Sequence, residues 1–471
     1  APAPSLLQTL TSEGAIKIYL YLGAFFVVAA ASFVGWAIPE LRLPILIIGT
    51  LIFGGFSIAI KKRLPQPSFA LFIVFSFLIL ITANNLEDVL QSAFKYSSSV
   101  TSAYWAVTGL ILTAIWAIGT RLYDSRFFSI AAFGAFVFAF WQIGGVFNAR
   151  SEVYTLLVSI ATFGGLVGVW LIKKWKDTSF ALPLFLSTQL VQGITLFFSI
   201  SIFGVKLVDP ANPSLWNLIP FLVWSLGCVF ILLSDRQYPF FAYPWLAAGT
   251  LIPLPWFLAA ALDVESLGST IILFIWGAIL SIASEAFNRF EGVRKFSLPL
   301  LIASFPALAL SLITGFNYQI WLGMVAAFGI GVIFTILHIL RTRWWLWVFA
   351  LVNFVIAYFA FFQIDFIKNI NIYLGYQILA IGLLFLIPDL FLKKDWNDKP
   401  EHRLPLRIFG VIHSIAAVIF VAIENESSQA VVCFAILTLF TVAYALAYQS
   451  TWLAYIPASA LPVTILYMLD A

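Results

Sequence analysis

The chain is a succession of long apolar runs separated by short polar breaks. Each run covers about 18 to 24 residues, enough for a helix to cross a hydrocarbon core of roughly 30 Å. The runs lack the period-two alternation of a membrane barrel. The pattern therefore predicts an all-α polytopic transmembrane protein of about 17 spans, near 15–38, 43–60, 68–85, 102–120, 127–147, 153–172, 179–204, 215–234, 239–261, 268–287, 297–315, 319–340, 343–364, 372–392, 404–423, 428–447 and 451–469.

One sequence pattern recurs along these runs. In 51–85 an apolar helix enters the basic cluster Lys61–Arg63, and a short turn with prolines leads into a second apolar helix. Basic clusters follow every second predicted span, and their last basic residues lie 48 to 63 residues apart, at Arg63, Arg126, Lys176, Arg236, Lys295, Arg343 and Arg403. The period predicts tandem helical hairpins in a single transmembrane domain at 15–471, preceded by a flexible lead at 1–14.

The distribution of positive charge predicts the orientation. Of the 25 Lys and Arg residues, twenty lie on the side of the basic clusters, and the opposite loops hold only Arg42, Lys95, Arg150, Lys206 and Lys368. Short cytoplasmic loops of membrane proteins carry such an excess of Lys and Arg. We therefore expect the clustered side to face the cytoplasm, with the N-terminus inside and the C-terminus outside the cytoplasmic membrane.

Composition excludes several classes of protein. Hydrophobic residues make up 62% of the chain and charged residues 10%, against about 25% charged in soluble domains. A net charge of +4 is too small to indicate a nucleic-acid partner. The two cysteines, Cys228 and Cys433, lie inside predicted spans and are expected to pack as small apolar residues. With three histidines and no zinc-ligand spacing, the sequence predicts neither a metal site nor a cofactor.

Charged residues are missing from the middle of the predicted spans. The nearest exceptions are Glu285, Asp389 and Arg407, each close to the cytoplasmic edge. Ion-coupled carriers usually retain a charged group at mid-depth for use in transport. The pattern therefore disfavours an ion-coupled transporter.

Uncharged polar residues at mid-depth are the candidate binding residues. Gln189 and Gln192 are three apart and share a face of one helix, and Asn353 and His413 are the other polar groups at this depth. Two interpretations stay open for them. They are interhelical hydrogen-bonding groups, or they line a pocket for a small molecule or lipid.

The connection 393–407 is the candidate docking surface. It is dense in charge, and Trp396 lies among its basic residues. Basic groups at the inner leaflet attract anionic lipid, while the interspersed acids suit a protein partner of mixed charge. The predicted docking residues are Lys393, Lys394, Trp396, Lys399 and Arg403.

The first predicted span carries a resemblance. The segment YLYLGAFFVVAAASFVGW at 19–36 resembles the opening helix of a group of uncharacterised bacterial polytopic membrane proteins. The resemblance implies a bacterial inner membrane protein and supplies no catalytic residues.

Three classes of function remain open. Short loops and the lack of charge at mid-depth favour a non-enzymatic structural or accessory subunit of a membrane assembly, with the lipid bilayer, other membrane subunits or anionic lipid as partners. The second class is a binding or passage protein for a neutral or lipidic molecule. The third is a membrane enzyme acting on lipid-linked substrates, which usually needs a larger cleft outside the membrane than these loops offer.

Overall fold

Helices are the only regular elements in the part of the chain that the computed structural model describes. That part comprises residues 23, 26, 29, 30, 39–174, 180–207, 218–370, 372–391, 400–424, 427–449 and 451–470. The chain divides into an N-terminal unit, Ala1–Phe240, and a C-terminal unit, Phe241–Ala471. Apolar runs fold this way in lipid because a helix satisfies its own backbone hydrogen bonds.

The N-terminal unit consists of seven long helices within its described residues. They are α1 (Pro39–Ile60), α2 (Pro65–Phe94), α3 (Ser98–Tyr123), α4 (Arg126–Val146), α5 (Ser151–Lys174), α6 (Ala181–Leu207) and α7 (Leu218–Gln237). The second of these is longer than the predicted span 68–85. It runs on through the polar segment as far as Phe94 and ends where Lys95 adopts a left-handed conformation.

The C-terminal unit combines long helices with three short ones. In chain order they are α8 (Tyr243–Leu251), α9 (Leu254–Ala261), α10 (Ser266–Arg289), α11 (Ser297–Tyr318), α12 (Ile320–Arg341), α13 (Trp344–Phe362), α14 (Asp365–Lys368), α15 (Leu374–Phe391), α16 (Pro400–Glu424), α17 (Ser427–Tyr448) and α18 (Thr451–Asp470). A 3₁₀ helix, Glu291–Phe296, leads into α11.

Fifteen of the described helical segments are long and apolar enough to cross a membrane. They coincide with the described predicted spans, except that Leu374–Leu390, at the span predicted for 372–392, is shorter. Most of the first predicted span, 15–38, lies outside the described residues. The all-α prediction is thus confirmed for the described residues, fifteen segments of which could cross a membrane.

The outward surface of these helices is apolar. Large hydrophobic side chains such as Phe56, Leu190, Ile282 and Leu439 are well exposed at positions within the spans. In water such a surface would drive association, whereas lipid tails solvate it at no cost. The exposed faces are therefore the faces expected to contact lipid.

Consecutive helices that flank the basic turns pack closely, among them α3 on α4, α10 on α11 and α12 on α13. Gly109 of α3 shows how near two backbones come. A Cβ placed on Gly109 would lie 2.9 Å from the Cβ of Ala139 and 3.1 Å from the carbonyl oxygen of Ala135 on α4. Small residues allow this approach, which supplies the van der Waals contact that holds helices together in lipid.

Prolines divide the predicted span 239–261 into α8 and α9. Because Pro255 has no N–H, it cannot donate to the carbonyl four residues earlier, which belongs to Leu251. The indole Nε1 of Trp276 on α10 donates to that carbonyl at 3.0 Å. A neighbouring helix thus satisfies the acceptor that the proline leaves unused.

Candidate functional site

Asp389, near the end of α15, is a buried carboxylate that accepts four side-chain hydrogen bonds. Its carboxylate has no exposed surface. The Nε of Arg403 donates to Oδ1 at 2.9 Å, and the Nε of Arg407 donates to Oδ2 at 2.8 Å. The hydroxyls of Tyr444 and Tyr448 also donate to Oδ2, the second at 2.6 Å. These five residues are called the Asp389 cluster below.

Regular helix spacing assembles the Asp389 cluster from three helices. Arg403 and Arg407 are four apart on α16, and Tyr444 and Tyr448 are four apart on α17, so each pair shares one helix face. The two tyrosine rings lie 4.7 Å apart between centroids. The Arg407 guanidinium lies 4.6 Å from the centroid of the Tyr448 ring, within the range of a cation–π contact.

The two arginines of the Asp389 cluster differ in exposure. Two guanidinium groups meet a single carboxylate among the residues that the structure describes there. The Arg403 side chain is buried, whereas Arg407 keeps 38% of its side chain exposed. Arg407 is therefore the more accessible of the two arginines.

The position of Arg403 corrects the predicted docking surface. The sequence analysis places Arg403 in the exposed connection 393–407, but α16 already begins at Pro400 and buries this side chain against Asp389. The prediction was wrong for this residue because a charge near a helix end was assigned to solvent. Lys393, Lys394, Trp396 and Lys399 lie outside the described residues.

His402 directly precedes Arg403 in sequence and pairs with another histidine, His338. The Nε2 of His338 on α12 is within hydrogen-bond distance of the Nδ1 of His402. The Nδ1 of His338 lies 2.9 Å from the backbone carbonyl of Arg343, which can only accept, so this nitrogen carries a proton. Trp347 stacks on the His338 ring and donates its indole N–H to the carbonyl of His402.

A second ion-paired group lies where α10, α11 and α12 meet. Arg341 donates from Nε to Glu285 at 3.0 Å and from Nη2 to the hydroxyls of Ser284 and Ser297 at 2.7 and 2.8 Å. Arg289 also pairs with Glu285, at 3.2 Å. Glu285, Asp389 and Arg407, which the sequence analysis places close to the cytoplasmic edge, are therefore each bonded to a residue of a neighbouring helix.

The two predicted glutamines of α6 bond to different helices. Gln192 is buried against α5, where its Nε2 donates to Ser159 at 3.2 Å and its Oε1 lies 2.7 Å from the hydroxyl of Thr162. Gln189 donates to Ser234 of α7 at 2.8 Å. Both contacts are of the kind expected from interhelical hydrogen bonding.

The other two predicted binding residues bond within their own helices. The side-chain amide of Asn353 donates to the carbonyl of Phe349 at 2.8 Å. The Nδ1 of His413 lies 2.7 Å from the carbonyl of Phe409. The hydrogen bonds of these residues thus lead to nearby backbone and not to one another.

A cavity of about 430 Å³ lies among α3, α4, α5 and α6 of the N-terminal unit. We call it the N-terminal cavity. It is lined mainly by small and apolar residues: Thr113, Ala117, Thr120, Arg121, Ser129, Ala132, Phe133, Phe136, Gly164, Gly165, Gly168, Leu171, Ile172, Phe180 and Leu184. Its volume is within the range of small-molecule pockets. The sequence analysis did not predict it.

The polar atoms of this lining are mostly occupied. Thr113, Thr120 and Ser129 each donate their hydroxyl to a backbone carbonyl of their own helix, at 2.7 to 2.8 Å. The surface that these three side chains present to the cavity is therefore mainly carbon. Arg121, in the last turn of α3, is the charged member of the lining and is exposed.

The comparisons with known proteins give no further guide. No known protein family, curated protein or solved structure matches the chain. Among the described residues, no group of three or more His, Cys, Asp or Glu side chains is placed to hold a metal ion.

Proposed function

We propose that this chain is a non-enzymatic, multi-pass protein of the cytoplasmic membrane that binds a lipidic molecule in the N-terminal cavity. The observation that carries the proposal is the cavity itself, which lies between helices whose outer faces are apolar. Its lining suits a hydrocarbon chain, because hydroxyls already bonded to their own helix need no hydrogen-bond partner from a ligand.

Arg121 indicates what the other end of the ligand, its headgroup, carries. It lies at the end of α3 that the positive-inside pattern assigns to the cytoplasm. A guanidinium there would meet the headgroup of an inner-leaflet lipid whose chain enters the cavity. The proposed ligand is therefore a lipid with a negatively charged headgroup.

Cross-linking with a lipid probe tests this proposal. The probe is phosphatidylglycerol with a diazirine on one acyl chain, presented to the protein in phosphatidylcholine vesicles. We expect labelling of the segments 113–136 and 164–172. Ala117→Trp places an indole in the cavity and should reduce labelling of these segments about tenfold, as a loss of about 1.4 kcal/mol in binding would.

Ala114→Trp is the matched control, since Ala114 is exposed on the same helix and is not part of the cavity lining. It should leave labelling within about twofold of the parent, well short of the tenfold change. Equal labelling of both variants and the parent would reject the cavity as a binding site. The chain would then be better regarded as a structural or accessory subunit, a role that the internally bonded polar residues of both units also suit.

We further propose about seventeen spans arranged as tandem hairpins, with the N-terminus inside and the C-terminus outside. The close packing of helices that flank basic turns supports the hairpins, and the charge distribution supports the orientation.

Single cysteines test this orientation. In a background of Cys228→Ala and Cys433→Ala, Ser98→Cys should react with an impermeant thiol reagent in intact cells. Gln66→Cys should react only after lysis, because it lies in the first turn of α2, directly after the basic cluster Lys61–Arg63. Both positions are exposed, so accessibility differs only by the side of the membrane. Labelling of Gln66→Cys from outside would overturn the orientation.

A further inference from the structure

A second apolar cavity, of about 530 Å³, lies among α4, α5 and α6 of the N-terminal unit. Its lining includes Val137, Trp141, Tyr154, Val158, Val191 and Phe198. On each of the three helices these residues lie further from the basic turns than the residues that line the N-terminal cavity. We call it the outer cavity, since the positive-inside pattern assigns this end of the helices to the outer leaflet.

The two cavities follow one another along the same helices. Ser151 of the outer cavity and Ile172 of the N-terminal cavity are 21 positions apart on α5. That separation is roughly 32 Å along a helix, and the hydrocarbon core of a membrane is roughly 30 Å thick. On α4 the two linings adjoin, because Phe136 belongs to the N-terminal cavity and Val137 to the outer cavity. Together the cavities therefore extend over the depth of the hydrocarbon core.

The barrier between the cavities is short on the other two helices. The two linings leave out only 159–163 on α5 and 185–190 on α6. Ser159 and Thr162, in the first of these gaps, bond to the side chain of Gln192 on α6, the hydroxyl of Thr162 at 2.7 Å. Hydrogen bonds between helices in lipid are individually weak, so the barrier can open at a small cost in free energy.

Polar groups at this depth matter for a headgroup. A charged group is costly at the centre of a bilayer, where hydrocarbon offers it no hydrogen bonds. The amide of Gln192 and the hydroxyls of Ser159 and Thr162 are buried at this level of the unit. When α5 and α6 separate, these groups become available to a headgroup in place of water.

The outer cavity ends in groups that suit a phospholipid headgroup. Trp141 and Tyr154 line it near the outer ends of α4 and α5, with their ring centroids 4.8 Å apart. Tryptophan and tyrosine favour the level of the headgroups, where their N–H and O–H groups find acceptors. Arg121 lines the N-terminal cavity at the opposite end. Donors for a phosphate therefore lie at both ends, with mainly apolar walls between them.

We propose that the N-terminal cavity and the outer cavity are the two halves of a path by which a phospholipid crosses the bilayer, with Gln192 as the polar group at the barrier. This inference rests on the proposed function, since the lipid bound in the N-terminal cavity is the molecule that moves. The movement makes and breaks no covalent bond, and the lipid follows its own concentration gradient between the leaflets.

Transfer of a lipid between the leaflets of vesicles tests the proposal. The purified full chain is reconstituted in phosphatidylcholine vesicles with a trace of phosphatidylglycerol that carries a nitrobenzoxadiazole dye on one acyl chain. Dithionite does not cross the membrane and bleaches only the outer leaflet of protein-free vesicles. With the chain present, we expect bleaching to continue into the inner leaflet, while a water-soluble form of the dye trapped in the lumen stays unbleached.

Val137→Trp and Val191→Trp each place an indole in the outer cavity, from α4 and from α6, and each should slow bleaching of the inner leaflet about tenfold or more. Gln192→Leu should slow it about tenfold, because the headgroup loses its polar contact at the barrier. Val167→Trp is the matched control, since Val167 is exposed on α5 outside both linings. It should leave the rate within about twofold of the parent.

Cross-linking of 164–172 by the diazirine lipid, which each outer-cavity variant should retain, shows that the variant is folded and still binds. Cross-linking of the parent without protein-dependent bleaching would overturn the path and leave lipid binding in place. No cross-linking of the parent would reject the binding itself, and the path with it. Equal slowing in Val137→Trp and Val167→Trp, an unchanged rate in Gln192→Leu, or bleaching of the trapped dye would also overturn the path.

Discussion

Asp389→Asn is expected to lower the free energy of unfolding by about 3–5 kcal/mol, the cost of removing one partner from a buried ion pair. The amide has nearly the shape of the carboxylate, so packing is kept while two guanidinium groups lose the carboxylate that they share. Asparagine also replaces one acceptor oxygen with an NH2 donor, which then faces the N–H groups of arginine or the O–H groups of tyrosine. Denaturant unfolding in mixed micelles measures the change.

Asp365→Asn is the control for this prediction, because Asp365 is exposed in the same unit. It should change stability by less than about 0.5 kcal/mol. Combining Asp389→Asn with Arg407→Gln removes both partners of one ion pair, so the double variant should cost less than the sum of the single changes. Additive costs, or a near-neutral Asp389→Asn, would show that the cluster is solvated and that its charges are not coupled.

Phe334→Ala should cost about 3–5 kcal/mol through the cavity it leaves. Phe334 is 1% exposed in a core formed by α11, α12 and α13, and its ring stacks on Phe305 with centroids 5.1 Å apart. In a membrane, little of this free-energy loss comes from transfer of the side chain to water. Most of it is lost packing contact, because lipid does not reach the site.

Phe328→Ala separates these two contributions on the same helix. Phe328 is 57% exposed at a face expected to meet lipid, and its removal should cost less than about 1 kcal/mol. Thermal unfolding in one detergent compares the two variants directly. Equal effects of both substitutions would mean that Phe334 does not support the core.

The sequence predicted the helices well because a span is a local property. The predicted spans 43–60 and 319–340 correspond to Pro39–Ile60 and Ile320–Arg341, since a run of apolar residues of this length has few other folds in lipid. Hydropathy does not indicate how far a helix continues beyond the apolar run that crosses the membrane. For this reason α2 exceeds its predicted span, and Arg403 was assigned to a loop when it lies in α16.

The candidate sites were harder to predict because they depend on which helices become neighbours. Gln189 and Gln192 share a face in sequence, yet their amides reach α7 and α5, since residues three apart point about 60° away from each other. The Asp389 cluster had a signal in the paired spacing of Arg403 with Arg407 and of Tyr444 with Tyr448. That signal gains meaning only once α15, α16 and α17 are known to meet.

The bond between Trp276 and Leu251 constrains the order in which this sequence can change over evolution. If Pro255 were replaced first, an amide N–H would become available to the Leu251 carbonyl, and Trp276 would then be free to vary. If Trp276 were replaced first, the carbonyl would lose its donor while the proline could offer none. Pro255 and Trp276 are 21 positions apart in the chain, yet replacing Pro255 before Trp276 is tolerated, whereas the reverse order is penalised.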